Sequence, residues 1–207
     1  MPVKKIGVLI SGSGTNLQSL IDEINKGNIN GEIAVVISNK MDAYGLEIAR
    51  SSNIDAVFLD EKKYKDFELF NDAIVAELKS RNVDLVVLAG YIKILSGKFI
   101  EQFKNKIINI HPSLIPSFCG RGYYGMRVHE AAIAYGVKIS GATVHFVDEG
   151  ADTGPIIFQD VVSVSDSDTA EVLQKNVLVL EHRLLPLAVK MYCEDRLCVK
   201  GRRVVIK

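Results

Sequence analysis

Short apolar runs, each followed by a stretch with helical spacing, constrain this 207-residue chain more than any other feature. The runs at 6–10, 33–38, 56–59, 85–88 and 107–110 are rich in Val and Ile and show little polar alternation. A strand that is apolar on both faces needs cover on both, and helices packed on each side of a parallel sheet supply it. The intervening segments fit. Leu17, Leu20, Ile21 and Ile24 follow the i, i+3, i+4, i+7 pattern of an amphipathic helix that stops at Gly27. Leu46 with Ile48 and Ala49 mark a second helix, Phe67, Phe70, Ile74 and Leu78 a third, and 96–104 a weaker fourth. Repeated strand and helix with right-handed crossovers predicts an α/β fold with a doubly wound, mostly parallel sheet and helices on both faces.

After residue 110 the pattern changes. A Gly- and Pro-rich loop at 111–125 leads to a helix near 128–135, β-rich runs at 142–147 and 156–164, and a long helical pattern over 169–192. The segment 197–205 reads as a hairpin with Gly201 in its turn. No repeat, low-complexity tract or linker interrupts the chain, so one domain over 1–207 is expected. With 25 basic and 25 acidic residues the net charge is zero, which gives no global footprint for nucleic acid and favours a small ligand. Cys119, Cys193 and Cys198 make no closed disulfide framework and match no zinc spacing. The start, MPVKKIGVLISGSG, has a Lys pair before an apolar stretch, but that stretch is too short for a signal peptide and runs into glycines. No run approaches membrane-spanning length, so the expectation is a cytoplasmic protein without a membrane partner.

Directly after the first strand comes Ser11-Gly12-Ser13-Gly14-Thr15-Asn16-Leu17, which opens the first helix. Small residues let backbone N–H groups approach an anion, and the helix N-terminus adds partial positive charge. The dinucleotide fingerprint fails because position 17 is Leu, and the second strand ends in Ser38-Asn39-Lys40 without an acidic residue. The P-loop fails too, which leaves a monophosphate as the better fit. The plain alternative is a Gly-rich turn with Thr15 or Asn16 as N-cap.

The stretch NIHPSLIPSF at 109–118 places an amide and an imidazole two residues apart at the end of an apolar run. In an extended strand such positions project from one face, so Asn109 and His111 can enter one pocket. Pro112 then restrains His111. For His111 to act as an acid near neutral pH a carboxylate must hold its charged form. The loop 147–155 carries Asp148, Glu149 and Asp152 between two strands, and Asp152 is the candidate; a solvated acidic turn is the alternative. Of the other histidines, His145 reads as a structural imidazole and His129 as a surface helix residue. The H-E-x-x-H and H-x-x-E-H zinc patterns fail at Ile133 and Leu178, so no metal is implied.

At these residues the chain resembles the folate-dependent formyltransferases, in particular those that formylate glycinamide ribonucleotide in purine biosynthesis. The resemblance rests on ISGSGTNLQSLID (10–22), SNKMDAYGLEIA (38–49), DLVVLAGYIKILS (84–96), NIHPSLIPSF (109–118), GATVHFVDEGADTGPII (141–157) and EHRLLP (181–186). It implies a Rossmann-like formyltransferase fold with a phosphate- and ribonucleotide-binding half at 1–105 and a catalytic and folate-binding half at 106–207. It implies 10-formyltetrahydrofolate as cosubstrate, no metal, and a monomer or homodimer. Residue by residue, it makes Asn109, His111 and Asp152 catalytic. Gly12, Ser13, Gly14, Thr15 and Asn16 fall at the phosphate and Glu181 near the glycinamide. Ile92, Lys93, Ile94, Leu95, Asn109 and Asp148 fall at the folate. In the expected mechanism Asn109 stabilises an oxyanion and His111, held as imidazolium by Asp152, protonates the leaving nitrogen. The rival expectations are formylation of methionyl-tRNA, hydrolysis of formyltetrahydrofolate, and a non-catalytic folate- or nucleotide-binding module.

Overall fold

The computed structural model describes residues 2–207. Five strands carry the parallel half of the sheet: β1 (Lys4–Ile10), β2 (Gly31–Ser38), β3 (Ala56–Phe58), β4 (Leu85–Leu88) and β5 (Ile107–His111). Helices α1 (Thr15–Asn25), α2 (Tyr44–Ser51), α3 (Phe67–Ser80) and α4 (Gly97–Gln102) connect them, with a 3-10 turn at Glu61–Lys63 before α3. There follow α5 (Met126–Tyr135), β6 (Ile139–Phe146), β7 (Ile156–Ser163), α6 (Ala170–Cys193), and the hairpin β8 (Leu197–Lys200) and β9 (Arg203–Ile206). Among the described residues these strands form one sheet in the order β3-β2-β1-β4-β5-β6-β7-β9-β8. Pairing is parallel from β3 through β5 and antiparallel at β5–β6 and β6–β7. The tail hairpin, turning at Gly201, joins the far edge by pairing β9 parallel to β7.

Period-two alternation divides the parallel strands between two cores. Ile6, Val8 and Ile10 of β1, Leu85 and Val87 of β4, and Ile108 and Ile110 of β5 face the core under α1 and α6. Leu9, Val86, Leu88 and Ile107 face the opposite core, under α3 and α4. Asn109 and His111 continue the Ile107 row, so the row that is apolar at the start of β5 turns polar at its end.

The order 3-2-1-4-5 reverses direction between β1 and β4, where the loops leaving their carboxyl ends part to opposite faces and open a crevice. Ser11 fastens that edge: its Oγ donates to Asn39 Oδ1 at 2.6 Å and accepts from Ile92 N–H at 3.1 Å, joining the exits of β1, β2 and β4. Among the described residues no helix is long and apolar enough to cross a membrane.

Candidate active site

The glycine turn after β1 is shaped by a close approach. Gly14 sits at φ +74°, and a Cβ there would fall 2.5 Å from Gly45 Cα on α2. A side chain is excluded on both counts. Gly14, rather than Thr15 or Asn16, is the N-cap of α1, and no side chain caps the first turn among the described residues. The turn therefore presents backbone N–H groups at the positive end of a helix. Asn16 is buried and turned away from the cap: its Nδ2 donates to Glu181 Oε2 at 2.7 Å, while its Oδ1 is buried without a hydrogen-bond partner. Burial pushes the Glu181 carboxyl up to about 7, against the opposing pull of Asn16. The predicted phosphate and glycinamide residues thus lie side by side, joined by the contact of α1 with α6.

The second group lines a cleft of about 360 Å³ beside the end of β5. Ile92, Lys93, Ile94 and Leu95 form one wall, and Asn109, Asp148 and Asp152 lie across from it. Ile92 and Ile94 are exposed apolar side chains, and Lys93 Nζ pairs with Glu61 Oε2 at 2.5 Å. All six predicted folate residues line this cleft. It draws on both parts of the chain, since 88–100 and 109–152 contribute together.

Asp152 reaches β5 through a turn built for close approach. It adopts φ +58°, uncommon for a residue with a side chain. A Cβ on Gly154 would lie 1.8 Å from Phe146 O, so only glycine lets the turn fold back onto β6. Asp148 braces it, with Oδ1 accepting from Thr153 Oγ1 at 2.5 Å and Gly150 N–H at 3.2 Å. The Asp152 carboxylate then meets four groups. Oδ2 accepts from Gly120 N–H at 2.8 Å and lies 3.6 Å from His111 Nδ1. Oδ1 accepts from Asn109 Nδ2 at 3.4 Å and lies 3.6 Å from His145 Nε2. Burial pushes this carboxyl up, but His145, His111 and the Gly120 N–H together more than offset it and hold it below its ordinary value.

His111 is 4% exposed, and its Nε2 donates to Phe118 O at 2.9 Å. The 111–125 loop that supplies this carbonyl is pinned by Thr143, whose Oγ1 donates to Ser113 O at 2.6 Å and accepts from Ile115 N–H at 3.1 Å. Burial pushes the imidazole pKa down; Asp152 and the Phe118 carbonyl pull it up but do not win, and His145 adds to the lowering. The imidazolium expected from the sequence is therefore not what the substrate-free site favours. At 3.6 Å the Nδ1 to Oδ2 contact is just too long for a hydrogen bond.

His129 is not where the sequence placed it, and His145, a buried imidazole as expected, has a partner that the sequence did not suggest. His129 is 2% exposed, behind His111, and not on the surface; burial and the neighbouring His111 push it down to about 4. The buried stripe of α5 runs through Val128, His129 and Ala132, and the helix packs against α6. His145 stands directly opposite Asn109 in the β5–β6 register and bonds to it. Nothing along the chain marks that pairing, because the two residues are brought together only by strand register. Among the described residues no cluster of His, Cys, Asp and Glu is placed to hold a metal ion.

The fold and the convergence of an amide, an imidazole and a carboxylate on one cleft define a group-transfer enzyme of the α/β class. The Formyl transferase family matches residues 4–189, and the chain belongs to that family. Within it, the chain is 46% identical over 199 residues to the phosphoribosylglycinamide formyltransferase of Haemophilus influenzae, covering 96% of this chain and 91% of that one. It is 43% identical over 194 residues to the chloroplastic phosphoribosylglycinamide formyltransferase of Vigna unguiculata, covering 94% of this chain but 62% of that longer one. The crystal structure of glycinamide ribonucleotide transformylase 1 from Symbiobacterium toebii superposes with a TM-score of 0.94 at 46% identity, covering 99% of this chain and 94% of that one.

Proposed function

We propose that this chain transfers the formyl group of 10-formyltetrahydrofolate to the amine of glycinamide ribonucleotide, a step of de novo purine biosynthesis. The observation that carries the reading is the meeting of Asn109, His111 and Asp152 at one end of an apolar-walled cleft in a chain of this family. The folate is a second substrate, and the cleft suits it: Ile92, Ile94 and Leu95 offer apolar cover for flat rings, while the loop carrying Asp148 offers polar groups. The ribonucleotide phosphate takes the N-terminus of α1 at Gly12 to Asn16, and Glu181 lies near the glycinamide.

The amine adds to the formyl carbon, and negative charge develops on the formyl oxygen. Asn109 Nδ2 supplies an N–H donor there; losing one such donor costs about 3 to 4 kcal/mol of transition-state stabilisation. The attacking amine must lose a proton and the departing folate nitrogen must gain one, so the transfer needs a proton carrier but no net acid. His111 is that carrier. Its Nδ1, unprotonated while Nε2 donates to Phe118 O, takes the amine proton and returns it to the folate nitrogen; in between, Asp152 Oδ2 and the growing oxyanion favour the charged ring. Transfer is direct: the nearby Cys119 thiol is pushed up by burial and by Asp152, so it is a poor nucleophile. The enzyme works as a monomer or homodimer, and its unpaired cysteines favour a reducing compartment such as the cytoplasm.

The test is to incubate the enzyme with 10-formyltetrahydrofolate and offer glycinamide ribonucleotide, charged methionyl-tRNA or water alone. Formylation of the ribonucleotide, with the other two acceptors slower by orders of magnitude, is expected. Equal or faster loss of formyl to tRNA or water overturns the reading. His111→Ala and Asp152→Asn are expected to lower kcat by about 100-fold or more with an unchanged far-UV spectrum; near wild-type turnover by either variant removes that residue from the proton-transfer chemistry.

A further inference from the structure

His145 faces Asn109 across the β5–β6 pair, is 1% exposed, and has no role in the transfer chemistry above. Its Nδ1 lies 2.8 Å from Phe146 O, a carbonyl that can only accept, so Nδ1 carries a proton. Its Nε2 lies 3.1 Å from Asn109 Nδ2 and 3.6 Å from Asp152 Oδ1, and Asn109 Nδ2 lies 3.4 Å from that same carboxylate oxygen.

Two ring states and two amide orientations give four assignments, and three of them clash. A doubly protonated His145 puts an N–H against the NH2 of Asn109, donor to donor. Turning the Asn109 amide over relieves that contact but, with either ring state, sets its carbonyl oxygen against the Asp152 carboxylate, acceptor to acceptor. The fourth satisfies every atom: a neutral His145 with its proton on Nδ1, its Nε2 lone pair accepting one Asn109 N–H, and the other N–H shared with Asp152 Oδ1. The shorter contact at 3.1 Å agrees with it. In this arrangement the Asn109 N–H and the Gly120 N–H are the donors that reach the Asp152 carboxylate.

We infer that His145 is a positioning residue, an acceptor that fixes the Asn109 amide with its NH2 toward the reacting carbon and leaves one N–H free to turn from Asp152 to the developing oxyanion. Phe146 O sets the tautomer, the tautomer sets the amide, and the amide meets the substrate. The strand register delivers this coupling without any charged group. Deleting the acceptor leaves the NH2 and carbonyl ends of Asn109 free to exchange, so a share of molecules presents an oxygen to the oxyanion. The inference rests on the reading of Asn109 as the oxyanion donor.

The experiment has two arms. In the first, steady-state kinetics compare wild type, His145→Leu, His145→Gln, Asn109→Ala and the His145→Leu/Asn109→Ala double variant. His145→Leu is expected to lower kcat by about 10-fold or more with both KM values within about 2-fold. His145→Gln, which can present a carbonyl acceptor, recovers part of the loss. In the double variant, His145→Leu costs less than about 2-fold beyond Asn109→Ala, since the residue acts only through the amide. Full multiplication of the two losses, or a His145→Leu variant at wild-type kcat, overturns the inference. In the second arm, nitrogen-15 NMR of the wild-type enzyme at about pH 7.5 reads the His145 ring directly. A protonated Nδ1 and an unprotonated Nε2 are expected; a protonated Nε2 overturns the inference whatever acceptor the enzyme uses. An enzyme inactive toward glycinamide ribonucleotide sinks the functional reading, and the NMR result still decides the orientation.

Discussion

Glu181 carries a stability cost that its burial against Asn16 accounts for. Its carboxyl titrates at about 7 in the fold against about 4.5 in the open chain. Between those values the native state binds the extra proton, so this residue's contribution to stability falls as pH rises through the window. The difference corresponds to about 3 kcal/mol. Glu181→Gln in the ligand-free enzyme is therefore expected to gain on wild type by about 2 to 3 kcal/mol between about pH 4.5 and pH 8 in urea unfolding. A constant difference across that range excludes the buried-acid account. His129 works with the opposite sign. Its folded pKa of about 4 lies below the ordinary 6.5, so the unfolded chain binds the extra proton between them and stability is lost as pH falls through that window. In wild type the two trends oppose each other over much of the range from about pH 4.5 to 6.5. In Glu181→Gln the acid-side loss stands alone, and its unfolding midpoint is expected to fall more steeply from about pH 6.5 to pH 4.

At the scale of elements, the entry to α1 gives a paired test of the glycine turn. Gly14→Ala meets both a positive φ and the Gly45 backbone at 2.5 Å. The expected loss is about 2 to 4 kcal/mol, with a raised KM for the ribonucleotide. A Cβ at Gly12 meets nothing within 4 Å, so Gly12→Ala should keep stability within about 0.5 kcal/mol. Equal losses in thermal unfolding contradict this packing. The same turn marks what the chain discloses of itself. β5 and its polar end were legible because Ile107, Asn109 and His111 alternate with Ile108 and Ile110, and alternation is local. The plain alternative of a cap at Thr15 or Asn16 is not what forms: both are good capping types, but Gly14 is the cap and Asn16 is drawn to Glu181 on α6, a partner 165 residues away. The burial of His129 and the pairing of His145 with Asn109 were missed for the same reason, since both come from packing and register.

For the whole molecule, the order of apolar runs was enough for the doubly wound sheet, whose parallel half follows the chain. The joining of the C-terminal hairpin to the β7 edge was not legible, because β9 pairs there through Ile156 and Arg203 alone. The cleft opens past the ends of β4 and β5, and three separate stretches meet there: the end of β5, the loop pinned by Thr143, and the turn that brings Asp152 back over Phe146. Loosening one of these should be felt in the others. Thr143→Val removes the hydroxyl that holds both Ser113 O and Ile115 N–H. It is expected to cost about 1 to 3 kcal/mol and to lower kcat without touching substrate; unchanged kcat at reduced stability separates loop anchoring from catalysis. The decisive measurement is a crystal structure of the enzyme with glycinamide ribonucleotide and a non-transferable 10-formyltetrahydrofolate analogue. It should place the carbonyl oxygen about 3 Å from Asn109 Nδ2, the amine about 3 to 3.5 Å from the carbonyl carbon, and His111 Nδ1 within hydrogen-bond distance of Asp152. A carbonyl directed away from Asn109, with the His111 to Asp152 gap still open, refutes the mechanism.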